Sequence, residues 1–464
     1  MDPRRSCTGS GVLGAALALA ACGSPQRPTP AAVPARPAAA PAQAAALPQA
    51  AAPPIDLARA AGYFAEADAS CHHDGGALWG VSLCGPMLFV DPATRFAVAS
   101  TADAAHALTA QAGVYIGTLP ADAPIANTAF DWSGVRWSEV VWTLISDDAT
   151  ARRLLFTHEQ FHRIQPELGS HQQEADNRHL ASADGRAMLR LEWRALAAAL
   201  AAHGAARTQA IRDALAFRAA RRRQFSAAAA AERALEDNEG LAEYTAVRIV
   251  GASDAERGEL ARAGMARTET TPSYVRSFAY GSGPAYGLLL DAAGADWHRR
   301  ALAGDDLGDL LAAALHLRPT TDDTARREAR YDGAAVRREE AERESARRQR
   351  VAAFRALLID GPTLTLPNAA INIDFNPNEV EPLLDGEGAA YPALRATAAW
   401  GELRVTSGGA LLDPAWSKIT VSAPGDPASR PVTGAGWTLE LAPGWSLARG
   451  ARAGDWVLRQ ALND

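Results

Sequence analysis

Lysine is almost missing from this chain: Lys418 is the only one in 464 residues. The formal net charge is −7, so the basic surplus of a nucleic-acid binder is lacking and no nucleic-acid partner is expected. The apolar run Gly11 to Ala21 is too short to cross a bilayer as a mature helix. No internal repeat stands out, which excludes solenoid and propeller arrays. Cysteine is scarce, at four residues: Cys7, Cys22, Cys71 and Cys84. The length that remains is enough for two or three domains.

What is present begins with an export pattern. Arg4 and Arg5 precede the short apolar run, which ends in Leu19-Ala20-Ala21-Cys22-Gly23. A Leu, two small residues and a Cys in this place resemble the bacterial lipobox. The resemblance implies that residues 1–21 are a lipoprotein signal peptide and that Cys22 becomes the lipidated N-terminus, anchoring the chain to a membrane. Gly23 rather than Asp after the Cys implies no inner-membrane retention. The expected place is the cell envelope: the outer membrane or periplasm of a Gram-negative cell, otherwise the outer face of the cell membrane. Residues 22–55, almost all Ala, Pro, Gln and Ser, read as a disordered tether.

In an exported chain Cys71 and Cys84 are expected to pair as a disulfide. The competing reading is a metal site with the adjacent His72 and His73. Residues 57–150 mix helix and strand. The strands are Gly85 to Val90, Phe96 to Ala99, Val114 to Leu119 and the alternating run from Val135 to Ile145, with a turn at Asp91-Pro92-Ala93-Thr94. Residues 151–320 read as helical, with helices over Ala149 to Gln165, Glu174 to Ala202, Ala205 to Ala231 and Leu235 to Val250. A further helix over Ala285 to Ala292 is opened by Pro284 at its first turn. Residues 321–356, dense in Arg and Glu, read as a solvated linking helix. From 357 to 464, short β-type runs between Gly, Pro and Asn turns predict a small β-sandwich-like domain.

Chemistry is concentrated at His158-Glu159-Gln160-Phe161-His162, an H-E-x-x-H pattern. On a helix, positions i and i+4 share a face, so two imidazoles converge on one zinc ion. Glu159, one position on, is placed to act as general base. In a chain of this composition a chance match is expected on the order of 0.01 times. Catalytic zinc takes a third protein ligand. The metzincin solution fails, since Gln165 and Leu168 stand where a Gly and a third His are needed.

The run Asn238-Glu239-Gly240-Leu241-Ala242-Glu243-Tyr244 resembles the third-ligand helix of gluzincins, the thermolysin-like and aminopeptidase-like zinc metallopeptidases. Residue by residue, the resemblance makes Glu239 the third ligand. It makes Glu243 the carboxylate that orients a zinc-bound imidazole through its other nitrogen. Thermolysin-like members carry Asp at that place, which leaves the role of Glu243 open. The resemblance covers two short motifs and the helices bearing them. His171, His179 and Asp184 are rival ligands. Residues 175–234 read as an inserted helical hairpin leading back to the site.

Together these readings predict an α+β fold. Residues 56–320 form a zincin-like, mainly helical catalytic domain with an N-terminal sheet, and an all-β domain follows. The implied cofactor is Zn2+ and the implied substrate a peptide or protein. Gluzincins often stabilise the oxyanion with a Tyr or His from a later segment. Tyr280, Tyr286 and His298 are candidates, with Tyr280 preferred for the Gly-rich backbone beside it. In the same family the strand before the zinc helix is an edge that pairs with extended substrate, which would be the run from Arg136 to Ile145. Its other reading is a plain core strand. Two further functions stay open: an inactive scaffold lipoprotein that keeps the fold, and a hydrolase of another amide or ester such as a cell-wall bond. The presence of Glu159 disfavours the first of these.

Overall fold

Asp56 starts the first helix, α1 (Leu57–Asp74), by accepting the Arg59 amide at 3.0 Å, and Gly75 ends it in a left-handed conformation. The computed structural model describes residues 54–170, 176–367, 372–376, 379–383 and 386–460. All of these fall within one compact unit. The signal peptide, Cys22, the tether up to residue 53 and the rival ligand His171 lie outside the described residues.

Cys71 in the last turn of α1 is bonded to Cys84, with Cα atoms 5.2 Å apart. The bond ties the helix to the segment entering a sheet of six strands: β1 (Met87–Val90), β2 (Phe96–Ala99), β3 (Thr109–Gln111), β4 (Val114–Thr118), β5 (Thr128–Trp132) and β6 (Val135–Val141). Their order is β3-β4-β2-β1-β6-β5, antiparallel throughout except for the β1–β6 pair. The turn predicted after β1 forms, with Asp91 accepting the Thr94 amide at 2.8 Å. One face of the sheet buries Phe89, Val98 and Val140 against Phe64 of α1 and Phe156 of α2 (Ala149–Ile164).

The helical middle follows. α3 (Ala183–Ala201) and α4 (Gly204–Gln224) pack on each other as the expected hairpin. α5 (Ala228–Leu235), a π-turn at Glu236–Gly240 and α6 (Leu241–Val250) form one continuous rod. Next come α7 (Asp254–Glu269), α8 (Phe278–Ala292), and the short α9 (His298–Leu302), α10 (Leu307–Ala314) and α11 (Thr324–Glu328). Pro284 lies inside α8 rather than at its first turn. The reason is tertiary: the glycines around it are a packing face. A Cβ on Gly283 would fall 2.3 Å from Gly240 Cα, and one on Gly287 would fall 2.2 Å from the Tyr244 ring.

α12 (Gly333–Arg355) differs from the solvated linking helix expected. Val336 and Glu340 are buried, and Glu340 meets Arg186 and Arg190 of α3. A charge-dense sequence hides this face because its buried partners are themselves ions. The C-terminal region is two sheets, of seven and six strands among the described residues, closed on a shared core that includes Leu364, Ile419, Leu403, Trp437 and Leu439. The fold is α+β, as expected: N-terminal sheet, helical middle, all-β C-terminal region. No helix among the described residues is long and apolar enough to cross a membrane.

One sheet residue carries a pH signature. Glu139 on β6 is fully buried, and neither carboxylate oxygen meets a hydrogen-bond donor in good geometry, the nearby Ala126 amide included. Burial pushes its pKa up to about 8. Because the folded value lies above the ordinary one of 4.5, the unfolded chain ionises first. The contribution of this one group is therefore least unfavourable below about pH 4.5 and becomes steadily more destabilising as pH rises toward 8. Glu139→Gln is expected to remove this slope. Its gain over the wild type should grow by about 1.4 kcal/mol per pH unit across that window. Denaturant melts at pH 5 and pH 8 check it; parallel stabilities for both proteins would rule it out.

Candidate metal centre

The helix that carries His158-Glu159-Gln160-Phe161-His162, α2, is fixed at both ends. Asp148 caps α2 through the Ala151 amide at 2.8 Å. At its far end Arg163 donates to the carbonyls of Leu83 and Cys84, beside the disulfide. One face of α2 carries His158 and His162, and their Nε2 atoms lie 3.0 Å apart. Glu239 comes from the π-turn, with Oε2 at 3.2 Å from His158 Nε2 and 3.5 Å from His162 Nε2. The three donor atoms lie within 4.8 Å of one another. A tetrahedral zinc ion about 2.0–2.2 Å from each ligand requires donors about 3.3–3.6 Å apart. The 3.5 Å edge meets this, and the 3.0 and 3.2 Å edges would have to open by a few tenths of an ångström to admit the ion.

Each donor is held by a second side chain. His158 Nδ1 meets Glu243 Oε2 at 3.0 Å, which leaves Nε2 for a metal. His162 Nδ1 meets Gln165 Oε1 at 2.9 Å, and Gln165 Nε2 donates to the Asp237 carbonyl of the π-turn. Asn238 donates to Glu239 Oε1 at 2.9 Å. Tyr280 on α8 donates to Glu239 Oε2 at 2.6 Å, and its ring stacks on His158 with a centroid separation of 5.3 Å. Glu243→Ala is expected to weaken zinc binding about 10–100-fold, because the His158 ring loses its orienting partner. Competition with a chelator measures this, and an unchanged affinity removes Glu243 from the site.

Burial and charge set the proton affinities. Burial pushes the Glu159 carboxyl up, against the pull of His158 and His162. Burial also raises Glu239, but hydrogen bonds from His158 and His162 outweigh it and hold the carboxyl well below the usual range. For His158, burial favours the neutral ring, yet Glu239 and Glu243 win and lift its pKa well above the ordinary value. Tyr280 is pushed well above the usual phenol range by burial and by Glu239, so its hydroxyl stays a donor. Glu159 Oε2 is buried without a hydrogen-bond partner. A carboxylate left this way beside three converging donors is the feature a metal-held group would complete.

These residues floor a cleft of about 610 Å3 lined by Asn127, Thr128, Leu154, Leu155, Leu260 and Arg267. A larger cavity of about 700 Å3, bordered by Arg276, Tyr391 and Trp416, contains none of the donors. The alternating run before α2 does not form the sheet's edge: β6 lies between β1 and β5. The outer position next to the cleft belongs to β5, which carries Thr128. Trp137 of β6 is fully buried in the sheet core. Local alternation cannot separate a middle from an outer strand, since that depends on the parallel β1–β6 pairing across the chain.

The other candidates lie elsewhere. Tyr286 donates to Glu192 in a buried ion network. His298 packs on Trp297 and meets the Tyr244 hydroxyl. His179 pairs with Glu232 at 2.8 Å, and Asp184 accepts from Gln224. His72 lies 3.5 Å from Cys84 Sγ, but both sulfurs are spent on each other. Gln165, which stands in the sequence only where the metzincin pattern needs a Gly, meets His162 Nδ1. Its spacing of three from His162 on a helix was the available signal for a supporting role. Comparison with protein-family models, with curated proteins and with solved structures finds no match to the chain.

Proposed function

We propose that this chain is a gluzincin-type zinc metallohydrolase that cleaves peptide bonds, held at the cell envelope through a lipidated Cys22. The observation that carries the reading is the meeting of His158, His162 and Glu239 donor atoms beside Glu159, whose buried Oε2 is unpartnered. Zinc bound there would supply a Lewis acid that acidifies water and polarises the scissile carbonyl. Glu159 takes the proton from the attacking water and hands it to the leaving amine. Its raised pKa suits both halves of that transfer. Glu243 and Gln165 keep the two imidazoles turned toward the ligand position. Tyr280 keeps its proton and donates, to Glu239 at rest and to a developing oxyanion once substrate enters. The apolar wall of Leu154, Leu155 and Leu260 fits uncharged side chains of an extended substrate. The test is twofold: zinc content of the purified chain, and hydrolysis of a broad peptide library by the zinc-loaded protein. One zinc per chain with hydrolysis supports the proposal. Bound zinc without hydrolysis of any peptide points instead to the scaffold lipoprotein, or to an amide or ester substrate of another kind.

A further inference from the structure

Four glutamates of the rod from Ala228 to Val250 serve two different partner helices. Glu232 accepts from Arg221 at 2.6 Å and from Arg222 at 2.8 Å, and Glu236 accepts both Nη atoms of Arg218, at 2.8 and 2.5 Å. These arginines belong to α4. Glu239 and Glu243 instead face the histidines of α2. In an uninterrupted α-helix, at about 100° per residue, all four acids would fall within an arc of about 60°. One face could not then meet both helices.

The π-turn resolves the conflict. Leu241 donates to the Glu236 carbonyl, the i to i+5 bond of a turn holding one extra residue. That residue swings everything beyond it by about 100° relative to what precedes it. Both ends of the turn are pinned. At the first residue, Glu236 is fully buried on Arg218, which also grips Asp306 at 2.8 Å. At the last, Gly240 lies so close to Gly283 that a Cβ on Gly283 would fall 2.3 Å from Gly240 Cα.

We propose that the Arg218–Glu236 ion pair and the Gly240–Gly283 backbone contact hold this π-turn, so that Arg218 and Glu236 are positioning residues for the third ligand, Glu239. The inference rests on the metal reading above. Without the pair, the turn relaxes toward a regular α-helix and Glu239 swings off the histidines. The same α8 contact sets the height of Tyr280 over Glu239.

The test is zinc affinity of the full chain, measured by chelator competition alongside thermal melts. Glu236→Gln keeps the shape of the side chain and leaves Arg218 its partners Asp306 and Glu192, so the fold survives. It is expected to weaken zinc binding about 10–100-fold, the range for residues that orient ligands. Gly283→Ala attacks the other pin and is expected to do the same. Glu340→Gln is the control, since it breaks a buried ion pair of α3 and α12 away from the turn. It should lower the melting temperature and leave zinc affinity as in the wild type. Equal zinc affinities in wild type, Glu236→Gln and Gly283→Ala would overturn the inference. So would a loss in the control as large as in Glu236→Gln. A wild-type chain that binds no zinc would remove the metal reading itself, a result distinct from either.

Discussion

Glu159→Gln is expected to keep its zinc and to lose hydrolysis by about 10³–10⁴-fold. General-base catalysis by a positioned side chain contributes about 10²–10⁴-fold, and in the proposed mechanism the same carboxylate also delivers the proton to the leaving amine. The amide fills the same space, and Glu159 is not among the three converging donors, so metal binding stays. Turnover and zinc content measured on one preparation check both halves. Hydrolysis at wild-type rate would remove Glu159 from the chemistry. Loss of zinc together with activity would make it a ligand or a structural residue instead.

Glu239→Ala has an effect of comparable size by a different route. It removes the donor that lies 3.2 and 3.5 Å from the two imidazole nitrogens. It also leaves Tyr280 and Asn238 without their shared acceptor. Zinc affinity is expected to fall by more than the roughly 100-fold upper range for an orienting residue, because the proposed ligand itself is lost. Hydrolysis should fall with it and recover in part as zinc is raised. That recovery separates Glu239 from Glu159, where added zinc restores nothing. Unchanged zinc affinity in Glu239→Ala would show that another residue closes the site.

The site was legible where its chemistry is local. His158 and His162 share a face because a helix has its own period, and α2 needed only Asp148 at one end and the break before Pro166 at the other. The place of Glu239 beside the two histidines was legible by resemblance, through Asn-Glu-Gly, and not by periodicity. Counting along a regular helix would have put it on the face of Glu236. The π-turn depends on contacts with α4 and α8 that no window of sequence contains. The Gly-rich backbone that favours Tyr280 in the sequence is a packing face: Gly281 lies against Trp193 and Met265, and Gly283 against Gly240 of the π-turn.

The same division runs through the fold. The β region announced itself by short runs and turn residues, and the α+β plan followed from texture alone. Which strand lies outermost was hidden, because β1 and β6 pair in parallel across about fifty residues of chain. The buried side of α12 was hidden by its composition. Glu340 reads as a surface acid until Arg186 and Arg190 are brought to it.

The account turns on three side chains gripping one zinc ion, and the X-ray absorption spectrum of the zinc-loaded full chain tests that most directly. It should show a four-coordinate ion with nitrogen and oxygen neighbours at about 2.0–2.2 Å, two of them imidazoles, and should lose that pattern in Glu239→Ala. A spectrum dominated by sulfur at about 2.3 Å, or a chain that retains no zinc at all, would contradict it.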